Sequence, residues 1–216
     1  MRFSFLLALT SSAALASPDL GHIQSLVAQG PGVLVASDTG LYFAGHDGRI
    51  VQRGTRQGGF SALVADRADP QRLYASTPDT PVLRSTNGGR QWQAVSGLGA
   101  KPFTILSAGP AGSDILYGVA DGIYRSADEG RHWTRSGDLP EKTITVAASP
   151  TTAGTLFAGT MTGLVVSRDD GATWTRQSAG KGPTTLVEPG PGGGFLSFAW
   201  GRGCRGWRSR VRRRGH

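Results

Sequence analysis

Three segments of this chain, Ser85-Thr86-Asn87-Gly88-Gly89-Arg90-Gln91-Trp92, Ser126-Ala127-Asp128-Glu129-Gly130-Arg131-His132-Trp133 and Ser167-Arg168-Asp169-Asp170-Gly171-Ala172-Thr173-Trp174, share the pattern S-x-[DN]-x-G-x-x-W and begin 41 residues apart. A period of about 40 residues made of short strands is the mark of a propeller blade, a unit that buries its faces only by stacking on neighbours. The spacing therefore constrains the architecture strongly, while saying little about activity.

One period before Ser85 lies Ala44, and Ala44-Gly45-His46-Asp47-Gly48-Arg49-Ile50-Val51 reads as a decayed copy of the box. The residues entering each box repeat in phase: Gly40-Leu41-Tyr42-Phe43, Pro81-Val82-Leu83-Arg84, Gly122-Ile123-Tyr124-Arg125 and Gly163-Leu164-Val165-Val166. Upstream of each come two further apolar runs, such as Ile23 to Ala28 followed by Val33 to Ser37, separated by Gly, Pro and Asp turn signals. The expected fold is all-β, a propeller of four-stranded antiparallel blades spanning about 22–57, 58–100, 101–141 and 142–180, with a partial fifth at 181–200. About four and a half blades implies an incomplete propeller, a truncated copy of a longer one. Bare strand edges at its two ends would favour aggregation.

Within the box, Ser and Asp/Asn side chains are suited to accept from nearby backbone N–H groups. Gly suits a φ > 0 position, and Trp anchors the turn in apolar surroundings. The structural box residues are thus Ser85, Asn87, Gly89, Trp92, Ser126, Asp128, Gly130, Trp133, Ser167, Asp169, Gly171 and Trp174. These boxes resemble the Asp-box, or BNR, repeats of sialidase-type β-propellers over roughly residues 22–200. That resemblance extends to other glycosidases, sortilin-type receptors and photosystem II assembly-factor propellers. It implies a box in the turn between the third and fourth strands with a structural role, and it spans both enzymes and pure binding proteins.

The amino terminus has the form of a secretory signal peptide: Met1-Arg2, an apolar Phe3 to Leu9, and Ala14-Leu15-Ala16 as a small-x-small cleavage site. A secreted or periplasmic protein is expected, with domain 17–200 following a leader at 1–16. No other apolar run reaches the roughly 20 residues that a membrane span needs. Cys204 is the single cysteine, so no intramolecular disulfide is available. The net charge of +8 is concentrated at the ends, because seven arginines lie in the last 15 residues. Without these and Arg2, the remaining 15 basic residues equal the 15 acidic ones. The body is neutral, which argues against nucleic acid as a partner, and residues 201–216 are expected to be a basic, disordered or out-of-frame tail.

For a ligand site, the turns between second and third strands offer Asp38, Asp79 and Asp121, which would face the central channel from successive blades; the structural alternative is that each makes an Asx-turn. The sialidase resemblance would imply an arginine triad, a tyrosine nucleophile with its glutamate, and an aspartate acid. None of these is carried over: Arg53, Arg56 and Arg84 lack the motif, and Tyr42, Tyr74, Tyr117 and Tyr124 fall at strand positions that read as core. Among three glutamates no glycosidase pair is apparent. His22, His46, His132 and His216 are scattered, so no metal and no cofactor is expected. Two readings follow: a non-catalytic exported scaffold binding a protein or a glycan, or a secreted sialidase-like glycoside hydrolase.

Overall fold

The computed structural model describes residues 18–56, 58–95, 97, 99–177, 182–190, 195–199 and 203–207. The expected leader and residues 208–216 of the expected tail lie outside them, as does the side chain of Cys204.

Four antiparallel four-stranded sheets follow one another along the chain, and the fold is a β-propeller. Blade one comprises β1 (Ile23–Gln29), β2 (Gly32–Ser37), β3 (Leu41–Gly45) and β4 (Ile50–Gln52). Blade two comprises β5 (Ala62–Ala65), β6 (Leu73–Ser76), β7 (Leu83–Ser85) and β8 (Gln93–Ala94). Blade three comprises β9 (Ile105–Ala108), β10 (Leu116–Val119), β11 (Ile123–Ser126) and β12 (Thr134–Gly137). Blade four comprises β13 (Thr143–Ala148), β14 (Leu156–Thr160), β15 (Gly163–Ser167) and β16 (Thr175–Arg176). A fifth sheet has β17 (Thr184–Pro189), β18 (Phe195–Ala199) and β19 (Gly203–Trp207) among the described residues. In each sheet the strands pair in chain order.

The third strand of the fifth sheet departs from the sequence expectation, which ended that blade at residue 200 and set 201–216 apart. β19 pairs along its whole length with β18, from Phe195↔Trp207 to Ala199↔Gly203. A strand ladder is made by backbone groups, and β18 would otherwise leave a bare row of them, so a segment without box residues still docks. The register puts Trp207 opposite Phe195, where the preceding blade has Ser167 opposite Leu156. The fifth blade therefore reaches the box position without a box.

Burial is divided among the junctions between blades. One cluster joins blades one and two around Leu34, Leu41, Phe60, Leu73 and Leu83, and a second joins two and three around Tyr74, Val82, Phe103, Tyr124 and Trp133. A third, with Tyr117, Ile123, Val146 and Leu156, joins three and four, and Phe157, Val166, Val187 and Phe195 join four and five. Alternation along each strand sends one set of side chains to the preceding blade and the other to the next, so a blade is stabilised from both sides. All four tyrosines are buried, as their strand positions implied.

The boxes are built almost identically. The serine Oγ accepts the N–H of the glycine four residues on at 2.9 Å in each of the three, from Gly89, Gly130 and Gly171. It also donates to the Oδ1 of Asn87, Asp128 or Asp169. That Oδ1 accepts the N–H of Gln91, His132 or Thr173, again at 2.9 Å. The serines are 1% exposed, so each hydroxyl serves as a buried partner for backbone groups that would otherwise be orphaned. The glycines have φ of 82°, 86° and 92°, as the pattern requires, and the residue before each is also left-handed: Gly88 at 66°, Glu129 at 58° and Asp170 at 59°. Two successive left-handed residues make a tight hairpin that follows the twist of the strands.

Two of the boxes carry a pH dependence. Burial by itself would raise the Asp128 carboxyl, but the backbone N–H and ring of His132 and the Ser126 hydroxyl outweigh it and hold it at about 2. The hydroxyl and N–H of Thr173, with Ser167, hold Asp169 at about 2. With folded values below the ordinary 3.8, the contribution of these carboxylates is complete above that pH and lost as pH falls through about 2. A thermal-unfolding series from neutral pH to pH 2 should show the loss. Asp128→Asn with Asp169→Asn, which copies the acceptor that Asn87 supplies in the first box, should flatten it; an unchanged acid slope in the double variant would refute the assignment.

Candidate functional site

The innermost strands β1, β5, β9, β13 and β17 together line a central channel of about 570 Å³. Its wall is mostly uncharged: Ser25, Thr104, Ser107, Thr145 and Thr185 bring hydroxyls, and Leu26, Ile144 and Leu186 bring exposed apolar surface. Some of those hydroxyls are already engaged across blades, Ser25 with the N–H of Leu63 at 3.1 Å and Ser107 with the N–H of Ala148 at 2.9 Å. Two charged residues join the lining, Arg67 and Glu188.

Arg67 follows the end of β5 and ties the ends of the next two inner strands together. Its Nε donates to the carbonyls of Ala108 and Gly109 at 3.2 and 3.1 Å, and its Nη2 to that of Ala148 at 3.2 Å. Burial lowers the guanidinium pKa from its ordinary value, with Glu188 acting in the opposite sense. The side chain is therefore committed to three backbone oxygens from blades three and four. Among the described residues, Glu188 is the one carboxylate of the channel lining.

The three aspartates nominated from the sequence are not part of this lining. Asp38 turns back to the start of blade one, where it accepts the His22 N–H at 2.9 Å and sits 3.1 Å from the His22 ring nitrogen. That ring holds the Asp38 carboxyl below its ordinary range. Asp121 takes Lys101 Nζ at 2.7 Å and the Tyr124 hydroxyl at 2.8 Å, and Lys101 foremost, then Tyr124, lowers it to about 2. Asp79 is exposed in the turn after β6. The turns themselves are closed by hydroxyls instead: Ser37, Thr77 and Thr160 donate to the carbonyls of Gly40, Thr80 and Gly163.

A further set of charged residues, invisible as a unit in the sequence, sits at the outer junctions. The left-handed residue of a box reaches back to the blade before it. Glu129 receives Arg72 at 2.8 Å and Arg84 at 2.6 Å, both from blade two. Asp170 receives Arg125 at 3.1 Å and the Tyr117 hydroxyl, both from blade three. Burial foremost, with the neighbouring carboxylate, pushes the Tyr74 and Tyr117 hydroxyls up to about 12. These acids hold blades together. No group of three or more His, Cys, Asp or Glu able to hold a metal occurs among the described residues.

No protein-family model matches the chain, and no curated protein matches it by sequence. Solved structures do. A GH74 xyloglucanase from Xanthomonas campestris superposes with a TM-score of 0.63 at 20% identity, covering 87% of this chain and 30% of its own. The GH74 enzyme of Niastella koreensis gives 0.67 at 16% identity, covering 86% and 28%. The Cps50 (Swd1) β-propeller domain of Myceliophteria thermophila gives 0.57 at 13%, covering 85% and 64%. The chain thus spans less than a third of the length of the two GH74 enzymes. What these likenesses and the five sheets around one channel establish in common is a β-propeller fold.

Proposed function

We propose that this protein is an exported, non-catalytic propeller that uses the mouth and wall of its channel to bind an extended polar ligand, a protein segment or a glycan. The observation that carries this reading is how the acids are spent. Asp38 is engaged by the backbone and ring of His22, and Asp121, Glu129 and Asp170 by cations and hydroxyls of the fold. This leaves Glu188 as the one carboxylate among the described lining residues of a channel whose other charged side chain, Arg67, is committed to backbone oxygens. Such a wall suits hydrogen bonding and apolar contact more than proton transfer. The basic and apolar start of the chain, Met1 to Ala16, supports export.

A glycoside hydrolase is the second reading, supported by the likeness to GH74 enzymes, one of them named as a xyloglucanase. Incubating the purified chain with xyloglucan oligosaccharides and following new reducing ends separates the two. The expected result is no release above buffer, unaltered by Glu188→Gln. Release that Glu188→Gln abolishes would overturn the non-catalytic assignment.

A further inference from the structure

The three outer junctions that carry boxes use one geometry but differ in charge. At the junction of blades two and three, the left-handed Glu129 neutralises Arg72 and Arg84 and lies 3.6 Å from Arg131. At the next junction, Asp170 neutralises Arg125. At the junction of blades one and two, the corresponding box residue is Gly88, with no side chain to offer. Phe43 stands where Arg84 and Arg125 stand in the next two blades, and the arginines of this junction come from other positions. Arg53, arriving from the end of β4, donates to the Gly88 carbonyl at 3.0 Å and to Gln29 at 3.2 Å, and lies 5.2 Å from the Phe43 ring centroid. Arg56 stands over the Phe60 ring, and Phe60 packs on Trp92 at 5.5 Å. Arg90 projects from the box itself and is exposed.

Two adjoining hollows of about 370 and 490 Å³ run along this junction. They share Thr55, Arg90 and Gln91, and their linings contain Arg53, Arg56 and Arg90 but no carboxylate. Among the described residues, two buried side-chain donors have no hydrogen-bond partner, and both belong to this hollow: Arg56 Nε and Trp92 Nε1. With no carboxylate in either lining, the charge of the three arginines is the feature that a bound anion would neutralise. Burial, together with Arg90, also lowers the Arg53 pKa, as expected where like charges gather without an acid.

We propose that the groove between blades one and two is a binding site for an oxyanion (a carboxylate, sulfate or phosphate group on a larger ligand), held by three arginines that no carboxylate of the lining neutralises. The anion lies between Arg56 and Arg90, with Arg53 supplying the third positive charge and Thr55 a hydroxyl. This site is on the outer rim and is separate from the channel, so it stands or falls independently of the function proposed above.

Isothermal titration of the full chain with sodium sulfate, sodium phosphate and sodium acetate, at ionic strength held constant with sodium chloride, tests it. Saturable binding is expected in at least one arm, and the tightest arm identifies the group. Arg90→Gln, an exposed position that the fold tolerates, should weaken binding at least tenfold, about 1.4 kcal/mol. Arg131→Gln, the same box position beside Glu129, should leave it unchanged. Gly88→Glu places an acid beside Arg90, as Glu129 stands 3.6 Å from Arg131, and should abolish binding. Its backbone is already close to that of Glu129, and its new Cβ would displace the side-chain ends of Gln71 and of the buried Gln29 that holds Arg53. No saturable heat in any arm, or equal binding by wild type and Arg90→Gln, would overturn the proposal.

Discussion

Trp133→Ala should be the most damaging single truncation in the boxes, costing about 3 to 5 kcal/mol and lowering the unfolding midpoint by roughly 6 to 20 °C. Trp133 is 5% exposed and packs on Phe103 at 4.5 Å in the cluster that joins blades two and three. Its Nε1 donates to Gly130 at 2.9 Å, so the ring also locks the box hairpin. Truncation leaves a cavity bounded by Phe103, Tyr124 and Leu116 and an unpaired carbonyl. The equivalent change at Trp174 should cost much less, because that ring is only half-buried and its Nε1 reaches Asp138 at the surface. Differential scanning calorimetry of both variants decides the matter; equal losses would show that box tryptophans act alike whatever the neighbouring blade provides.

Glu129→Ala should cost about 2 to 3 kcal/mol. Two arginines, with side chains 35% and 29% exposed, converge on a carboxylate that is 15% exposed. Removing the acid leaves both cations partly buried and uncompensated, a circumstance that costs 3 to 5 kcal/mol for fully buried pairs and less where solvent reaches the group. Glu129→Gln should recover part of the loss by keeping an acceptor. A double-mutant cycle with Arg84→Ala, read from denaturant midpoints, should return a coupling of at least about 1 kcal/mol. Additive single effects would mean that Glu129 matters only as a residue in a left-handed turn.

Serine, Asn/Asp, glycine and tryptophan at fixed offsets made the boxes readable because their hydrogen bonds span only two to four residues. The phase of the apolar runs likewise placed the strands and their pairing order. The sequence also pointed to positive φ at Gly89, Gly130 and Gly171, but not to the left-handed residue before each, since Gly, Glu and Asp occupy that place and share no side-chain signal.

The charged chemistry was another matter. Asp38 and Asp121 read as acids facing a channel, yet their partners His22 and Lys101 lie 16 and 20 residues away and come from the start of the same blade or the loop before it. Glu129 meets Arg72 and Arg84 across 57 and 45 residues, and Arg53 meets Gly88 across 35. Even β19 escaped the pattern, because ladder pairing needs backbone and an available edge but no particular side chain. By itself the sequence determined the repeat unit, its turns and the all-β propeller architecture, all products of local hydrogen bonding and strand periodicity. Only the tertiary structure decided which charges are neutralised, which acids leave the channel, and which arginines remain without one, because blade stacking brings together residues roughly one period apart.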